Sequence, residues 1–556
     1  MGPARHDVRP RESLSMTTRD GVRLDADVYR PERSGPFPVL LMRQPYGRAI
    51  ASTVTYAHPS WYARHGYVVV VQDVRGRGTS DGDFDLLVHE RDDGFDTVEW
   101  AAALPDTTGA VGMYGFSYQG ATQLLAAAAR PPSLRAICPA MAIWDAHADI
   151  AYEHGAFRLQ SAMSWGFQLA TETARRLGDV AAHQALYAAS RNLPLSEAVP
   201  ARPAVFERFD PRGSYQAWLA HPRRDEYWAQ RSPCALLDAC AVPGLWIAGW
   251  YDSFLDGTIR GYREVARRGA APHRLIVGPW AHLPWSRRVG IVDNGPDAES
   301  AIDELQVRWF DHWLKGLDTG LLDEPPVRLF EMHGEGWRTF DRWPDAPARA
   351  LYLRGDGLAG LAETRGALGD APGVDSVDDV IVHDPWRPVP TIGGPFAVPA
   401  GPADRSAVDA RADVLTYTTP PLPRDLRLAG DVVLELWCQA DASSFDVSAV
   451  LSEVRADGRA LPLVQGHARL DATMSTAPLR LPLRATCARI RQGHALRLSV
   501  AGACAPAYAL NPGTGALAGE TRLIDARIIT LVVKTGRRTP SRVLVPTRDT
   551  GDDGWL

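Results

Sequence analysis

Long apolar runs are missing from this chain. No stretch of about 18 consecutive apolar residues occurs in its 556, so a membrane-spanning helix is not expected. An apolar leader is missing too: the opening, MGPARHDVRPRESLSMTTRDGVRL, is charged and lacks the h-region of a secretory signal, which makes the cytoplasm the expected address. Cysteine is sparse. Cys138, Cys234, Cys240, Cys438, Cys487 and Cys504 stand apart with no CxxC pair, a spacing that favours reduced, mostly buried thiols over a disulfide framework or metal cluster. Neither sign of charge prevails. A formal net charge of -6 is slight for this length and leaves no basic footprint for nucleic acid. There is no internal repeat, and no low-complexity segment longer than the alanine run at 126–129. The glycines at 76 and 78 lack the third glycine of a GxGxxG nucleotide loop. No cofactor, metal, nucleic acid or membrane is an expected partner.

What remains is an ordinary soluble composition, 45% apolar and 23% charged, in a chain long enough for two or three domains. Between residues 20 and 140 short β-rich runs alternate with helical stretches. FPVLLMR (37–43) and GYVVVVQD (66–73) read as strands buried on both faces. VGMY (111–114) is a third, followed at once by an Ala/Leu-rich helix over 120–130. Strand, turn and helix repeating in this order imply a parallel sheet covered on both sides. From 144 to 235 the chain turns helical and aromatic, with Trp144, Tyr152, Phe157, Trp165, Phe167, Trp218, Tyr227 and Trp228 and no strand signal. Sheet character returns at 243–249 and 274–278, so this stretch reads as a cap inserted between two strands. Ile302, Leu305, Trp309 and Trp313 share one face of a packing helix. Beyond 345, short alternating runs such as 432–440 and 495–502, separated by Pro/Gly/Asp turns, predict a β-sandwich or jelly roll.

Chemistry enters at GFSYQG (115–120), where the VGMY strand meets its helix. A serine on a sharp strand-to-helix turn lifts its hydroxyl above the sheet, and the following amide, at Tyr118, points where an oxyanion would form. The spacing is G-x-S-x-x-G, with Gln119 where the common G-x-S-x-G form has its second glycine. The bland alternative is a glycine-bounded turn whose serine only caps the helix.

A serine hydroxyl needs a base, and the base an orienting acid. In this chain order the acid and then the histidine follow the serine, each just past a strand. PGLWIAGWYDSF offers Asp252 and RLIVGPWAHLPW offers His282. Asp256 competes in the first loop; His273 precedes its strand and would sit at the wrong end of it.

With these residues in place the chain resembles the cocaine esterase and X-Pro dipeptidyl-peptidase-like hydrolases, a family that also holds α-amino acid ester hydrolases and glutaryl-cephalosporin acylases. The resemblance rests on MRQPYGR (42–48), QDVRGRGTSDG (72–82), DDGFDTVEW (92–100), GMYGFSYQGATQ (112–123), GWYDSF (249–254), GPWAH (278–282), WFDHWLKG (309–316) and HDPWRPVPTIGG (383–394). It implies an α/β-hydrolase fold with an inserted helical cap and a C-terminal all-β jelly-roll domain. This agrees with the organisation read along the chain, whose limits are hydrolase over 1–143, cap over 144–235, hydrolase again over 236–345, and jelly roll over 346–556. The resemblance places the nucleophile on Ser117, the acid on Asp252, the base on His282, and the oxyanion hole on the Tyr118 amide and the Tyr46 hydroxyl. A phenol stays a donor at neutral pH, so the last role makes physical sense.

Asp73, Arg75 and Arg77 read as a structural ion-pair and turn network, and Asp311 and His312 as surface positions between core tryptophans. Trp165 and Phe254 suggest an apolar substrate pocket. Asp145, Asp149 and Glu153 fall in a stretch similar to the amino-acid-ester branch, where acidic residues hold an α-ammonium group. The expected activity is a serine hydrolase cleaving carboxylic esters, or activated amides, of small acyl substrates. α-Amino acid ester hydrolase, β-lactam acylase, X-Pro dipeptidyl-peptidase and acyltransferase activities stand as alternatives, with a catalytically dead binding protein from another class. A homodimer contact through the jelly roll is a further expectation.

Overall fold

The computed structural model describes residues 6–547 except 34, 50–52, 54, 239, 346–347 and 472–476. Ten strands form one sheet in the order β1 (Glu12–Thr17), β2 (Arg23–Tyr29), β4 (Val68–Asp73), β3 (Phe37–Gln44), β5 (Thr107–Phe116), β6 (Leu134–Ala140), β9 (Gly244–Tyr251) and β10 (His273–Ala281), closed by the hairpin Val327–Glu331 and Gly336–Phe340. β7 (Tyr152–Glu153) and β8 (Ala156–Phe157) pair separately. From β4 to β10 neighbouring strands are parallel; β1 and β2 form an antiparallel edge.

The continuous apolar runs follow from covering both faces. Val39, Leu41, Val68 and Val70 pack with Val98 and Leu124, from helices α2 (Glu90–Ala102) and α3 (Tyr118–Ala129). The alternate residues Leu40, Met42, Val69 and Val71 pack with Tyr62 of α1 (Pro59–Arg64) and with Trp309 and Phe310 of helix Ile302–Lys315. Each such side chain, fully buried, contributes about 1.5–3 kcal/mol.

Between β6 and β9 the chain leaves the sheet for the β7–β8 hairpin, α4 (Leu159–Leu177) and a set of shorter helices. Phe167, Phe206 and Tyr215 stack there, with ring centroids 3.9 and 4.6 Å apart. The hairpin corrects the strandless reading of this stretch: with two residues per strand it is too short to show an alternating pattern. From Ala348 the described elements are almost all strands, joined in an eleven-stranded system. Leu426–Ala440 pairs with Leu479–Ile490, and Ser444–Val454 with Ala460–Asp471. The expected limit at 346 falls outside the described residues. This all-β part grips the cap hairpin: buried Glu153 accepts hydrogen bonds from Tyr508 (2.8 Å) and Arg484 (3.2 Å). Among the described residues no helix is long and apolar enough to cross a membrane.

Candidate active site

β5 delivers Ser117 at its C-terminal end, directly before α3. The serine sits at φ 61°, ψ −125°, a backbone state that costs a non-glycine residue about 1–3 kcal/mol. Three hydrogen bonds hold it there: Ser117 N–H donates to Ala140 O (2.9 Å), and Gly120 and Ala121 N–H donate to Ser117 O (3.0 and 3.1 Å). The unusual glycine spacing has a steric origin. At Gly115, φ is +139° and a Cβ would meet Gln119 Cβ at 2.5 Å; at Gly120 a Cβ would meet Ala140 O at 2.8 Å and Ala142 Cβ at 2.9 Å. The close approach to β6 thus falls at 120, and position 119 is free to carry a side chain. Gln119 uses it to accept from Phe116 N–H (3.2 Å), while Gln123 bonds to Gly115 O and to both backbone groups of Cys138.

β9 and β10 end at Tyr251 and Ala281, so Asp252 and His282 leave the sheet side by side. His282 Nδ1 lies 2.7 Å from Asp252 Oδ1, the contact that favours the proton on Nδ1; in the neutral ring with that tautomer Nε2 is the nitrogen able to accept. Asp252 is fully buried, and its Oδ2 has no hydrogen-bond partner among the described residues. The imidazole lies among aromatics. Phe116, the residue before the serine, is 5.4 Å away between ring centroids, Phe254 is 5.2 Å away, and Trp285 Nε1–H donates to His282 O (3.1 Å).

Tyr46 follows β3. Its loop is pinned by Gln44, which accepts from Tyr46 N–H (2.7 Å) and donates to Asp73 (2.9 Å). The Tyr46 hydroxyl is directed inward: burial pushes its pKa up to about 12, with the Trp165 indole and the Ser117 hydroxyl as polar neighbours. The Trp165 Nε1–H faces it without completing a hydrogen bond of good geometry. The Tyr118 amide is the first N–H of α3 and so has no partner within the helix. The side chain of Tyr118 points away, donating to Glu90 Oε1 (2.8 Å) and accepting from Leu87 N–H (3.2 Å), and Glu90 in turn pairs with buried Arg43 (2.5 Å). That anchor for the amide carried no sequence signal.

The competitors fall elsewhere. Asp256 opens helix Leu255–Arg268 and pairs with Arg484 at 3.3 Å. His273 starts β10 and is buried beside Trp246; burial draws its pKa down to about 4. Asp145 is held by Arg224 (2.8 Å), Asp149 by Arg260 (2.6 Å) and two backbone N–H groups, and Glu153 by Arg158 (2.9 Å) and Arg484. None of the three is an open carboxylate, because each has already been given an arginine. Asp311 accepts from Tyr67 O–H (2.6 Å) and pairs with Lys315, and His312 bonds to Leu317 O. Phe254 and Trp165 both join the apolar cluster that runs from the cap to Tyr46.

Known proteins resemble the chain along its whole length. The profile of the X-Pro dipeptidyl-peptidase (S15 family) matches residues 20–284, and that of the X-Pro dipeptidyl-peptidase C-terminal non-catalytic domain matches 319–544. A cocaine esterase from Rhodococcus sp. is 31% identical, covering 96% of this chain and 98% of its own. A putative serine esterase from Mycobacterium bovis is 27% identical over 90% of this chain and 91% of its own. Among solved structures, an α-amino acid ester hydrolase superposes with a TM-score of 0.76 at 22% identity, covering 99% of this chain and 98% of that one. An aminopeptidase from a Thaumarchaeota archaeon gives 0.78 at 22%, covering 96% of each chain; at such identity these two speak for the fold. The chain belongs to the cocaine esterase and X-Pro dipeptidyl-peptidase-like (S15) family of serine hydrolases, which act on ester or amide bonds.

Proposed function

We propose that the protein hydrolyses carboxylic esters of small acyl groups through an acyl-enzyme on Ser117. His282 Nε2 takes the hydroxyl proton as Ser117 Oγ bonds to the substrate carbonyl carbon, and the carbonyl electron pair moves onto oxygen. The Tyr46 hydroxyl and the Tyr118 amide donate to that oxyanion, while Asp252 steadies the imidazolium. Collapse breaks the bond to the leaving alkoxide, which takes the proton from His282. Water, deprotonated by the same imidazole, then bonds to the acyl carbon; the bond to Ser117 Oγ breaks, the acid leaves, and His282 returns the proton to Ser117 Oγ.

The observation that carries this reading is the 2.7 Å Asp252–His282 bond beside a strained serine turn whose hydroxyl faces Tyr46. The acyl pocket is apolar in this reading, with Phe254 and Trp165 among its walls. The pairing of Asp145, Asp149 and Glu153 with arginines favours uncharged acyl groups over α-amino acyl groups. A reducing, cytoplasmic setting belongs to the same proposal and is supported by the absence of a disulfide among the described residues. The test is a panel of p-nitrophenyl esters, amino acid esters, X-Pro dipeptide amides and β-lactam amides, run with wild type and Ser117→Ala. Preference for simple esters, abolished in Ser117→Ala, is expected. Preference for α-amino acyl or X-Pro substrates would overturn the substrate class, and full activity in Ser117→Ala would overturn the mechanism. Product partition in the presence of an added amine separates hydrolysis from acyl transfer.

A further inference from the structure

The turn after β4 carries Asp73, Arg75 and Arg77. Two of them have counter-charges: Asp73 lies 2.6 Å from Arg48, and Arg75 lies 2.6 Å from Asp93 and 2.7 Å from Asp20. Arg77 has no salt bridge among the described residues; the carboxylates of Glu172 and Asp210 reach it only through longer-range attraction. Arg77 is 1% exposed. Its Nη1 donates to Leu169 O (3.0 Å) and Thr173 Oγ1 (3.2 Å) in α4, and its guanidinium lies 3.7 Å from the centre of the Phe84 ring. Its Nε is buried with no hydrogen-bond partner. Taking a cation out of water without a carboxylate at contact distance is unfavourable, and such groups concentrate where function requires them.

Its surroundings indicate the requirement. Leu169 lies one helical turn beyond Trp165, whose indole flanks the Tyr46 hydroxyl. Phe84, on which the guanidinium rests, packs 6.2 Å from the Tyr118 ring, and Phe84, Tyr46 and Trp165 all pack on one apolar cluster. The cation therefore lies in apolar surroundings that it shares with Tyr46 and with the side chain of Tyr118, the residue whose amide is the second oxyanion donor. Burial draws its pKa down to about 10, so it is charged throughout the neutral range. Among the described residues no carboxylate makes a salt bridge with it, and it acts electrostatically on Tyr46, the donor that in the acyl-enzyme reading meets the negative charge of the tetrahedral intermediate.

We propose that Arg77 is the buried counter-charge of the oxyanion. It is a positioning residue that does not touch the substrate and acts through Tyr46 and Tyr118. The proposal rests on the acyl-enzyme reading of Ser117. A structural clamp on α4 is the competing role, and the two roles differ in what each variant does. Arg77→Gln keeps a donor for Leu169 O but loses the charge. Arg77→Lys keeps the charge, and Arg77→Met loses both.

The experiment is steady-state ester hydrolysis, thermal unfolding and inhibition by an arylboronate, which becomes a tetrahedral anion on Ser117. Expected are a kcat about tenfold lower in Arg77→Met and Arg77→Gln, with KM within about twofold and the boronate Ki raised by the same factor as kcat falls. Arg77→Lys should retain most of kcat. Tm should hold or rise in Arg77→Met, because an unpaired buried charge has been removed. Wild-type kcat in Arg77→Gln overturns the proposal, and so does a kcat loss matched by raised KM and lowered Tm. If Arg77→Met fails to fold, the comparison of Gln with Lys decides alone. Ser117→Ala runs beside them: full hydrolysis there overturns the acyl-enzyme reading, whereas an inactive Ser117→Ala with a fully active Arg77→Gln overturns only the role of Arg77.

Discussion

Tyr46→Phe removes one hydroxyl and nothing else. The ring stays in its apolar cluster, no cavity opens, and Gln44 still holds the loop through the Tyr46 backbone. The oxyanion loses one of two donors. In a site that excludes water, a donor of this kind contributes about 2.7–4 kcal/mol, or 10²–10³ in kcat. The loss should fall near the lower bound, about a hundredfold, because the Tyr118 amide is untouched and remains anchored through Glu90. KM should change little, since the ground-state carbonyl carries no full charge for the phenol to meet. The pH dependence gives a second check. Burial raises the Tyr46 pKa from 10.0 to about 12, so its neutral, donating form persists where an exposed tyrosine would ionise. The ratio of wild-type to Tyr46→Phe kcat should therefore stay constant from about pH 7 to 10 and shrink only towards 12. The assay is p-nitrophenyl ester hydrolysis, corrected for spontaneous hydrolysis, with circular dichroism to verify the fold. A kcat within about threefold of wild type at pH 8 would remove Tyr46 from the chemistry, and a ratio collapsing near pH 10 would refute the buried hydroxyl.

Asp252→Asn should lower kcat by about 10³–10⁴ with the fold intact, because an amide facing His282 Nδ1 favours the tautomer that protonates Nε2; a loss under tenfold would refute the orienting role. Gly120→Ala should destabilise by about 1–3 kcal/mol in urea unfolding, since its Cβ would press on Ala140 O and Ala142; unchanged stability would show that β6 can yield. Acid should loosen the contacts of the C-terminal strands. Burial raises the pKa of Glu153 and Glu453, but Arg484 and Arg158 for the first, and His333 for the second, outweigh it and hold each at about 2, below the ordinary 4.5. Such depressed carboxylates contribute stability above about pH 4.5 and lose it as pH falls towards 2. The thermal midpoint should drop over that window and less steeply in Glu153→Gln; parallel curves would contradict the assignment.

The sheet and the candidate site could be read for a common reason. Strands covered on both faces leave continuous apolar runs, and α/β folds present function where those runs end, so strand order singles out Ser117, Asp252 and His282 as candidates, and each does lie just past a strand. Tyr46 was not found that way. A tyrosine after a strand has no chemical signature of its own, and its role came from the family resemblance. What stayed hidden is pairing over long separations. Asp145, Asp149 and Glu153 look like free carboxylates until Arg224, Arg260 and Arg484, which lie 79, 111 and 331 residues away, fold onto them. The same blindness runs in reverse at Arg77, which reads like its neighbours Asp73 and Arg75. Only the three-dimensional arrangement shows that, among the described residues, those two have salt bridges and Arg77 has none. The two-residue strands β7 and β8 lie below the length at which periodicity carries information.

The acyl-enzyme is the central claim, and covalent labelling tests it most directly. A fluorophosphonate should add one mass increment to the intact protein, and peptide mass spectrometry should find it on Ser117, with no adduct and no esterase activity in Ser117→Ala. A label on any other residue, or hydrolysis that persists in Ser117→Ala, would contradict the account.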